Sequence, residues 1–325
     1  MAKKKILIIG TGVLGAYLSR FFLADGNKIF VTSRYQKKTY KNYKNIKIEK
    51  KVIFIKLNIL NKNEILTRLR EIEPDIIYYF AGQSSIFISY RKELETINSN
   101  FIGALNFLEI LYKKKSKIKF YKASSGYIFE KFNPKQDSKT KYIKANNPYV
   151  KSQIAAFKAV KKFRKKGLNC SSLIFFNIES PMKPNSFLLN KVRDFVKFRR
   201  TKFLKLGNID IVRDFSWAPE IMRGVFYASK LISQDIIFCS GKNFLVKDMI
   251  KYFFDLKKMK FEKYIKIDKK LYRKNEKKKL FKPKSNTEKI LKKFKWSPKI
   301  FGKQLIKKLY FSKWSIFYFL NNIWL

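Results

Sequence analysis

Apolar, mostly β-branched runs of about five residues recur through the first half of the chain, and longer stretches with helical spacing of apolar positions follow most of them. The short runs predict strands at Lys5 to Ile9, Lys28 to Thr32, Val52 to Leu57, Ile76 to Phe80, Lys119 to Ala123 and Ser172 to Phe176. The longer stretches predict helices at Gly15 to Asp25, Lys62 to Ile72, Leu94 to Tyr112 and Tyr149 to Lys166. Runs that stay apolar belong to strands covered on both faces, and their alternation with helices gives βαβ units. The pattern predicts an α/β fold with a doubly wound parallel sheet over residues 1–180. Past Pro181 the regular alternation weakens, which predicts a smaller C-terminal α/β substrate lobe over 181–325, with some segments returning to the first core. No repeat and no Gly/Ser/Pro linker separates the two, so they are expected to pack closely, with a site in the cleft between them.

Composition changes this picture little. A length of 325 residues supports one large core and a smaller lobe. The formal charge of +51 would suit nucleic acid or anionic lipid, since clustered cations gain affinity by releasing counterions. Only 12 of the 74 basic residues are Arg, however, and the lysines are spread without one basic block. Lys, Ile, Asn, Phe and Tyr are abundant together, as an AT-rich genome would favour, so nucleic acid is not the expected partner. Histidine is absent and the two cysteines, Cys170 and Cys239, support neither a disulfide framework nor a metal site. A reduced, cytoplasmic protein without metal is expected. No apolar stretch approaches the roughly 20 residues of a transmembrane helix. The opening run MAKKKILIIG breaks at a glycine turn and reads as a first strand rather than a signal peptide. The aromatic tail from Phe311 to Leu325 leaves peripheral membrane contact as a minor alternative.

Chemistry enters at Gly10-Thr11-Gly12-Val13-Leu14-Gly15, which follows a predicted strand and opens a predicted helix. That context gives the spacing its meaning: Gly10 permits a tight turn, Gly12 admits a pyrophosphate against the backbone, and Gly15 lets the helix approach the sheet. The helix N-terminus then faces the anion. This Rossmann-type turn predicts a dinucleotide cofactor. At the end of the second strand, Val31-Thr32-Ser33-Arg34 lacks the acidic residue that would bind a ribose 2′-hydroxyl and has Arg34 where a 2′-phosphate could be neutralised. NADP is therefore favoured, with NAD as the alternative.

From these residues onward the chain resembles the extended short-chain dehydrogenase/reductase family, and within it most closely the GDP-mannose 4,6-dehydratases. The resemblance is carried by Phe80-Ala81-Gly82-Gln83-Ser84-Ser85 and Asn98-Ser99-Asn100-Phe101-Ile102-Gly103. It is carried more specifically by Phe176-Asn177-Ile178-Glu179-Ser180-Pro181, and by Leu206-Gly207-Asn208-Ile209-Asp210 followed by Arg213-Asp214-Phe215. The resemblance implies that Phe80, Ala81, Gly82 and Asn100 line the cofactor, with Asn58 where the family commonly has an aspartate for the adenine amine. It implies that Tyr149, in Asn147-Pro148-Tyr149, takes the proton from a sugar hydroxyl while Ser125 holds the substrate oxygen. Ser85, Asn177, Lys191, Arg213, Arg273 and Glu276 are implied on the substrate side. A guanidinium fork at Arg213 suits a nucleotide diphosphate. Family members commonly pair through the long helices, so a homodimer is implied too.

Two departures qualify the resemblance. The family's lysine four residues after the tyrosine, which lowers the tyrosine's pKa and binds the nicotinamide ribose, is Gln153 here. Lys151 does not replace it, because two residues along a helix turn through about 200°. The glutamate that the dehydratases use to remove the C5 proton is Tyr127 here, after Gly126. A phenol with an ordinary pKa near 10 is a poor base at neutral pH. The sequence thus predicts a nucleotide-sugar enzyme that oxidises C4 of an NDP-hexose, the alternatives being an epimerase or ketoreductase, or a non-catalytic binder of an NDP-sugar or dinucleotide.

Overall fold

The computed structural model describes residues 3–35, 40–131, 140–230, 234–272 and 286–312. The chain divides into two compact units, the first made of Met1–Phe175, Met222–Phe238 and Asn286–Ser297. At its centre lies a parallel sheet of β1 (Lys5–Ile9), β2 (Lys28–Ser33), β3 (Ile53–Lys56), β4 (Ile76–Tyr79), β5 (Lys119–Ser125), β6 (Cys170–Phe175) and β7 (Ile236–Phe238), in the spatial order β7-β6-β5-β4-β1-β2-β3. The first six lie where the apolar runs place them, with ends shifted by up to two residues. Ile6 sits between Ile29 of β2 and Ile76 of β4, and Ile6 to Ile9 are fully buried. Burial on both faces is why β1 reads as a continuous apolar run.

Helices α1 (Val13–Ala24), α2 (Lys62–Ile72), α3 (Gly103–Lys113) and α4 (Pro148–Lys165) cover the sheet. Two start at asparagine caps. Asn61 accepts from the N–H groups of Asn63 and Glu64 at the start of α2. Asn147 Oδ1 accepts from Val150 N at 2.9 Å, with Pro148 in the first turn of α4, where its missing N–H costs nothing. The stretch expected as one helix from Leu94 to Tyr112 is helical from Glu93 to Lys113, with a π turn at Asn98–Ile102 just before α3. Phe107 and Leu111 of α3 and Val160 and Phe163 of α4 share one apolar cluster with Leu7, Ile77, Tyr79 and Phe120 of the sheet. Each such side chain contributes roughly 1.5–3 kcal/mol by leaving water.

The second unit comprises Phe176–Ile221, Cys239–Ser285 and Pro298–Leu325. Its core joins Leu189, Val192 and Phe195 from helix Leu188–Phe198, Ile250, Phe253 and Phe254 from helix Val246–Asp255, and Leu305, Ile306 and Leu309 from helix Gly302–Phe311. Short strand pairs complete it: Asn177–Glu179 with Phe215–Trp217, Leu204–Leu206 with Ile265–Ile267, and Val212–Arg213 with Phe244–Leu245. Among the described residues no helix is long and apolar enough to cross a membrane. The tail residues 313–325 lie outside the described residues.

Strand β7 has no counterpart among the predicted runs, and two polar side chains hold it in place. Arg164 of α4 donates through both Nη1 and Nη2 to the carboxylate of Asp235, each at 2.6 Å. The same carboxylate accepts from Ser172 N at 2.7 Å on β6. Asn286 then bridges the backbone on either side, accepting from Ile237 N and donating to the Asp235 carbonyl, both at 2.8 Å. Two segments far apart in sequence are thus pinned to the sheet edge, with Trp296 buried against Phe238 beyond them. Replacing Asp235 by Ala removes the carboxylate that Arg164 and the Ser172 N–H share, while Arg164 Nη1 keeps its bond to the Cys170 carbonyl at 3.3 Å. We expect a loss of about 3 kcal/mol of stability, read from urea unfolding, the low end for a broken buried pair because Arg164 keeps some contact with water.

Candidate active site

In a parallel sheet every strand ends on the same edge, and the candidate residues of the first unit follow those ends in spatial order. Ser125 ends β5, Phe80 to Gly82 follow β4, Gly10 to Gly15 follow β1, Arg34 follows β2, and Asn58 lies just beyond β3. Strand order reverses at β1, so the ends of β1 and β4 form the switch point where doubly wound sheets bind ligands.

The glycine turn is built for close approach. Gly10 has φ +105°, and a Cβ there would lie 3.0 Å from the Ala81 backbone, so the turn packs directly on the segment after β4. Gly12, by contrast, has nothing within 4 Å of a Cβ position. It is the N-cap of α1 and provides no side-chain cap, which leaves the first N–H groups of the helix, at Val13 and Leu14, facing an open shelf. Thr11 contributes its backbone, with its carbonyl accepting from Asn42 Nδ2 at 3.0 Å. Such a shelf suits a pyrophosphate.

Arg34 Nη2 pairs with Glu95 Oε1 at 3.3 Å, and both side chains are about half exposed, at 54% and 43%. An exposed pair of this kind is worth about 0–1 kcal/mol and opens readily to a better anion. Asn58 Oδ1 accepts from Leu60 N at 3.1 Å, so its carbonyl is occupied in a local turn. After β4, Phe80 N donates to the Ile9 carbonyl at 3.0 Å, holding this segment against β1. Asn100, in the π turn and almost fully buried, donates to the Gln83 carbonyl and to Ser152 Oγ, both at 3.1 Å. Both amide protons are engaged in tying the β4 loop to α4, and Asn100 lies so close to Gly82 that a Cβ there would clash. Ser85 caps the helix Ile86–Arg91, its Oγ accepting from Ile88 N at 3.3 Å.

Ser125 is buried at the end of β5, and its Oγ accepts from Tyr127 N at 3.2 Å, which leaves the hydroxyl proton to donate. Tyr149 is half-buried in the first turn of α4, and α4, joining the parallel strands β5 and β6, runs antiparallel to them. The helix start and the end of β5 therefore share one edge. Gln153 follows one turn later, only 7% exposed, and its Oε1 has no hydrogen-bond partner among the described residues. Lys151 is exposed, as the helical geometry requires. Tyr127 is half-buried on the single turn Gly126–Ile128.

The apolar pattern does not single out Lys122, although a lysine in the middle of a strand run is the signal that could have done so. It is buried at 2% exposure on β5. Its Nζ donates to the Ala123 carbonyl at 2.5 Å and lies 5.4 Å from the Tyr79 ring centre. Burial pushes its pKa down to about 7.

The remaining candidates belong to the second unit. Asn177 Nδ2 donates to the Asp214 carbonyl at 2.8 Å, and Lys191 Nζ donates to the Lys205 carbonyl at 2.9 Å. Arg213 is buried at 4% exposure rather than lying on the surface, with Nη1 donating to the Val212 carbonyl at 2.8 Å. Next to it, burial raises the Asp214 pKa, opposed by hydrogen bonds from Ser240. Arg273 and Glu276 lie outside the described residues.

A family model described as GDP-mannose 4,6 dehydratase matches residues 7–309. The GDP-mannose 4,6-dehydratase of Vibrio cholerae is 26% identical over 264 residues, covering 77% of this chain and 71% of that protein. Among solved structures, the UDP-glucose 4-epimerase of Thermotoga maritima, determined with UDP-glucose, aligns with a TM-score of 0.77 at 20% identity over 94% of this chain and 98% of its own. The dTDP-glucose 4,6-dehydratase of Bacillus anthracis, in complex with NAD, aligns with a TM-score of 0.77 at 18% identity over 99% and 98%. At these identities the structural likeness speaks for the fold.

The two faces of the glycine turn separate folding from binding. Gly10→Ala is expected to cost about 2 kcal/mol, since it forces an alanine into a left-handed conformation against the Ala81 backbone. Gly12→Ala is expected to leave stability within about 0.5 kcal/mol while lowering affinity for a dinucleotide at least about tenfold. Thermal melts and fluorescence titration with NADPH and NAD read the two effects separately.

Proposed function

This chain belongs to the GDP-mannose 4,6-dehydratase family within the extended short-chain dehydrogenases/reductases, and on that premise we propose that it oxidises C4 of a nucleotide-linked hexose with a bound nicotinamide dinucleotide. The observation that carries the reading is the shared edge: Ser125 at the end of β5, Tyr149 at the start of α4, and the open glycine shelf at the switch point. A nicotinamide bound there supplies the hydride acceptor. Ser125 Oγ–H donates to the C4 oxygen, and Tyr149 Oη takes the hydroxyl proton as the carbonyl forms.

NADP is the proposed cofactor. A 2′-phosphate exchanges the weak Arg34–Glu95 pair for a charge-assisted bond to a dianion. GDP-mannose is the first substrate to try, with Ser85, Asn177, Lys191 and Arg213, together with Arg273 and Glu276, as the residues that hold the nucleotide and sugar. The reaction is proposed to stop short of losing water, because Tyr127 stands where the family's C5 base would be. Epimerisation or ketone reduction would need no such base. The chain is further proposed to pair with a second copy through its long helices, the stretch Leu94 to Tyr112 and the stretch Tyr149 to Lys166, with Phe87, Tyr90 and Leu94 exposing apolar surface near the first. Sedimentation velocity tests the pairing.

Gln153 favours one second reading, a nucleotide-sugar binder without turnover, because an uncharged amide does not stabilise a tyrosinate by itself. The two readings divide on one experiment. Purified protein is incubated with GDP-mannose and NADP in D2O, following NADPH absorbance and product mass. Oxidation at C4 is expected, with no loss of water and no solvent deuterium at C5. Tyr149→Phe is expected to reduce the rate by about 10²–10⁴. If only the Gln153→Lys, Tyr127→Glu double variant turns the sugar over, the unmodified chain is a binder.

A further inference from the structure

Residue 153 carries no charge, yet a charge lies buried nearby in the fold. Paired positions on neighbouring parallel strands point to the same face, and the pairs Phe120 with Cys170 and Lys122 with Ser172 set that face for β5 and β6. Cys170 Sγ donates to the Val160 carbonyl at 3.3 Å, which fixes the face as the one covered by α4 and sets Phe120 level with Val160. Because α4 runs antiparallel to β5, each two-residue step up the strand, about 6.6 Å, corresponds to about four residues back along the helix. Lys122 therefore lies level with Ala156, whose small buried side chain leaves room for it, and Ser124 lies near the level of Ser152. Gln153 falls between them, within reach of a lysine stem. The hydrogen bond to Ala123 shows the ammonium leaning toward the carboxyl end of the strand, where Ser125 sits.

Acceptors are waiting on the same face. Gln153 Oε1, Ser124 Oγ and Ser172 Oγ are buried without a hydrogen-bond partner, while Lys122 Nζ has three protons and one bonded acceptor, the Ala123 carbonyl. Orphaned polar groups at such a density cost stability, and a functional site is one explanation for their retention.

We infer that Lys122 is a positioning residue for proton transfer at Tyr149: when the phenol ionises, the ammonium turns a second proton to Gln153 Oε1, which stands unpaired in this structure, and the polarised amide passes the charge on by donating from Nε2 to the phenolate of Tyr149, one helical turn away. This rests on the proposed role of Tyr149 as the base. The lysine's function is thus moved from helix to strand, with Gln153 as the bridge. Among the described residues, the groups facing Lys122 offer no competing charge. From β4 comes the Tyr79 ring, whose phenol burial holds protonated, from β6 Ser172, from α3 Phe107, and from α4 Ala156 and Gln153. Burial alone lowers the Lys122 pKa, and a phenolate nearby favours its charged form.

The test reads Tyr149 directly. Protein labelled with ¹³C at tyrosine Cζ is titrated by NMR without cofactor, the Tyr149 signal being assigned by its loss in Tyr149→Phe. Lys122→Met keeps the length of the stem and removes only the buried ammonium, so its melting midpoint at neutral pH is expected to equal or exceed that of the unmodified protein. In Lys122→Met, Tyr149 is expected to titrate at least about one pH unit higher, a tenfold change. The exchange variant Lys122→Gln with Gln153→Lys is expected to bring it back. Identical Tyr149 titration in the unmodified protein and Lys122→Met overturns the inference, as does a Tyr149 that stays protonated to about pH 11 in both. Nucleotide-sugar turnover on the same samples keeps the two proposals apart. Turnover with an unmoved Tyr149 removes the role of Lys122 and spares the function; a shifted Tyr149 in a protein that turns nothing over does the reverse.

Discussion

Parallel strands joined by helical crossovers must all deliver their carboxyl ends to one edge, and the first unit depends on that constraint for both folding and chemistry. Its inner strands are buried on both faces, which demands continuous apolar runs such as Ile6 to Ile9 and Ile76 to Tyr79. The same geometry gathers segments separated by more than a hundred residues, from Gly10 to Tyr149, onto one edge. The reversal of order at β1 separates the crossovers on its two sides and opens the shelf beneath Gly12.

Within this frame, buried polar side chains decide what joins what. Asp235 and Asn286 bring two late segments back to the sheet edge beside β6. Asn100 ties the loop after β4 to α4 across the π turn. These contacts are specific where apolar packing is not, since a hydrogen-bonded amide or carboxylate left without its partner costs about 1–3 kcal/mol. Lys122 is the exception: its ammonium is buried beside acceptors that stand unpaired. A buried cation thus lies on the strand that ends at Ser125 and on the face covered by the helix that carries Gln153, where a charge would act on the proposed chemistry.

Membership of the dehydratase family and the two replacements within its machinery are consistent once fold and chemistry are kept apart. The family match spans residues 7–309 and follows the scaffold. Gln153 and Tyr127 change what that scaffold can do. In the proposed reaction, removal of one function, the C5 base, leaves C4 chemistry on Ser125 and Tyr149, while relocation of another, the cation, would preserve it. A backbone that holds a helix and a strand in fixed register can accept the same charge from either element.

The linear sequence determined six strands and four helices of the first unit to within two residues at each end, because each is a local pattern: an inner strand buried on both faces writes an apolar run, a glycine turn writes its spacing, and a capped helix start writes Asn147-Pro148. It also named Gly10, Gly12, Ser125, Tyr149 and Gln153, since strand–turn–helix context and family likeness are both carried by neighbours in the chain. It did not show β7, whose three residues have too little periodicity to stand out and are placed by Arg164, Ser172 and Asn286. It did not show the π turn, which keeps the helical spacing of apolar positions while widening the backbone. Nor did it show that Arg34 already holds Glu95, that Arg213 is buried, or that Lys122 lies beneath α4. Those facts depend on which distant groups share a face. Only the packed sheet decides that, because side-chain partners across strands and crossovers are set by register and burial rather than by separation along the chain.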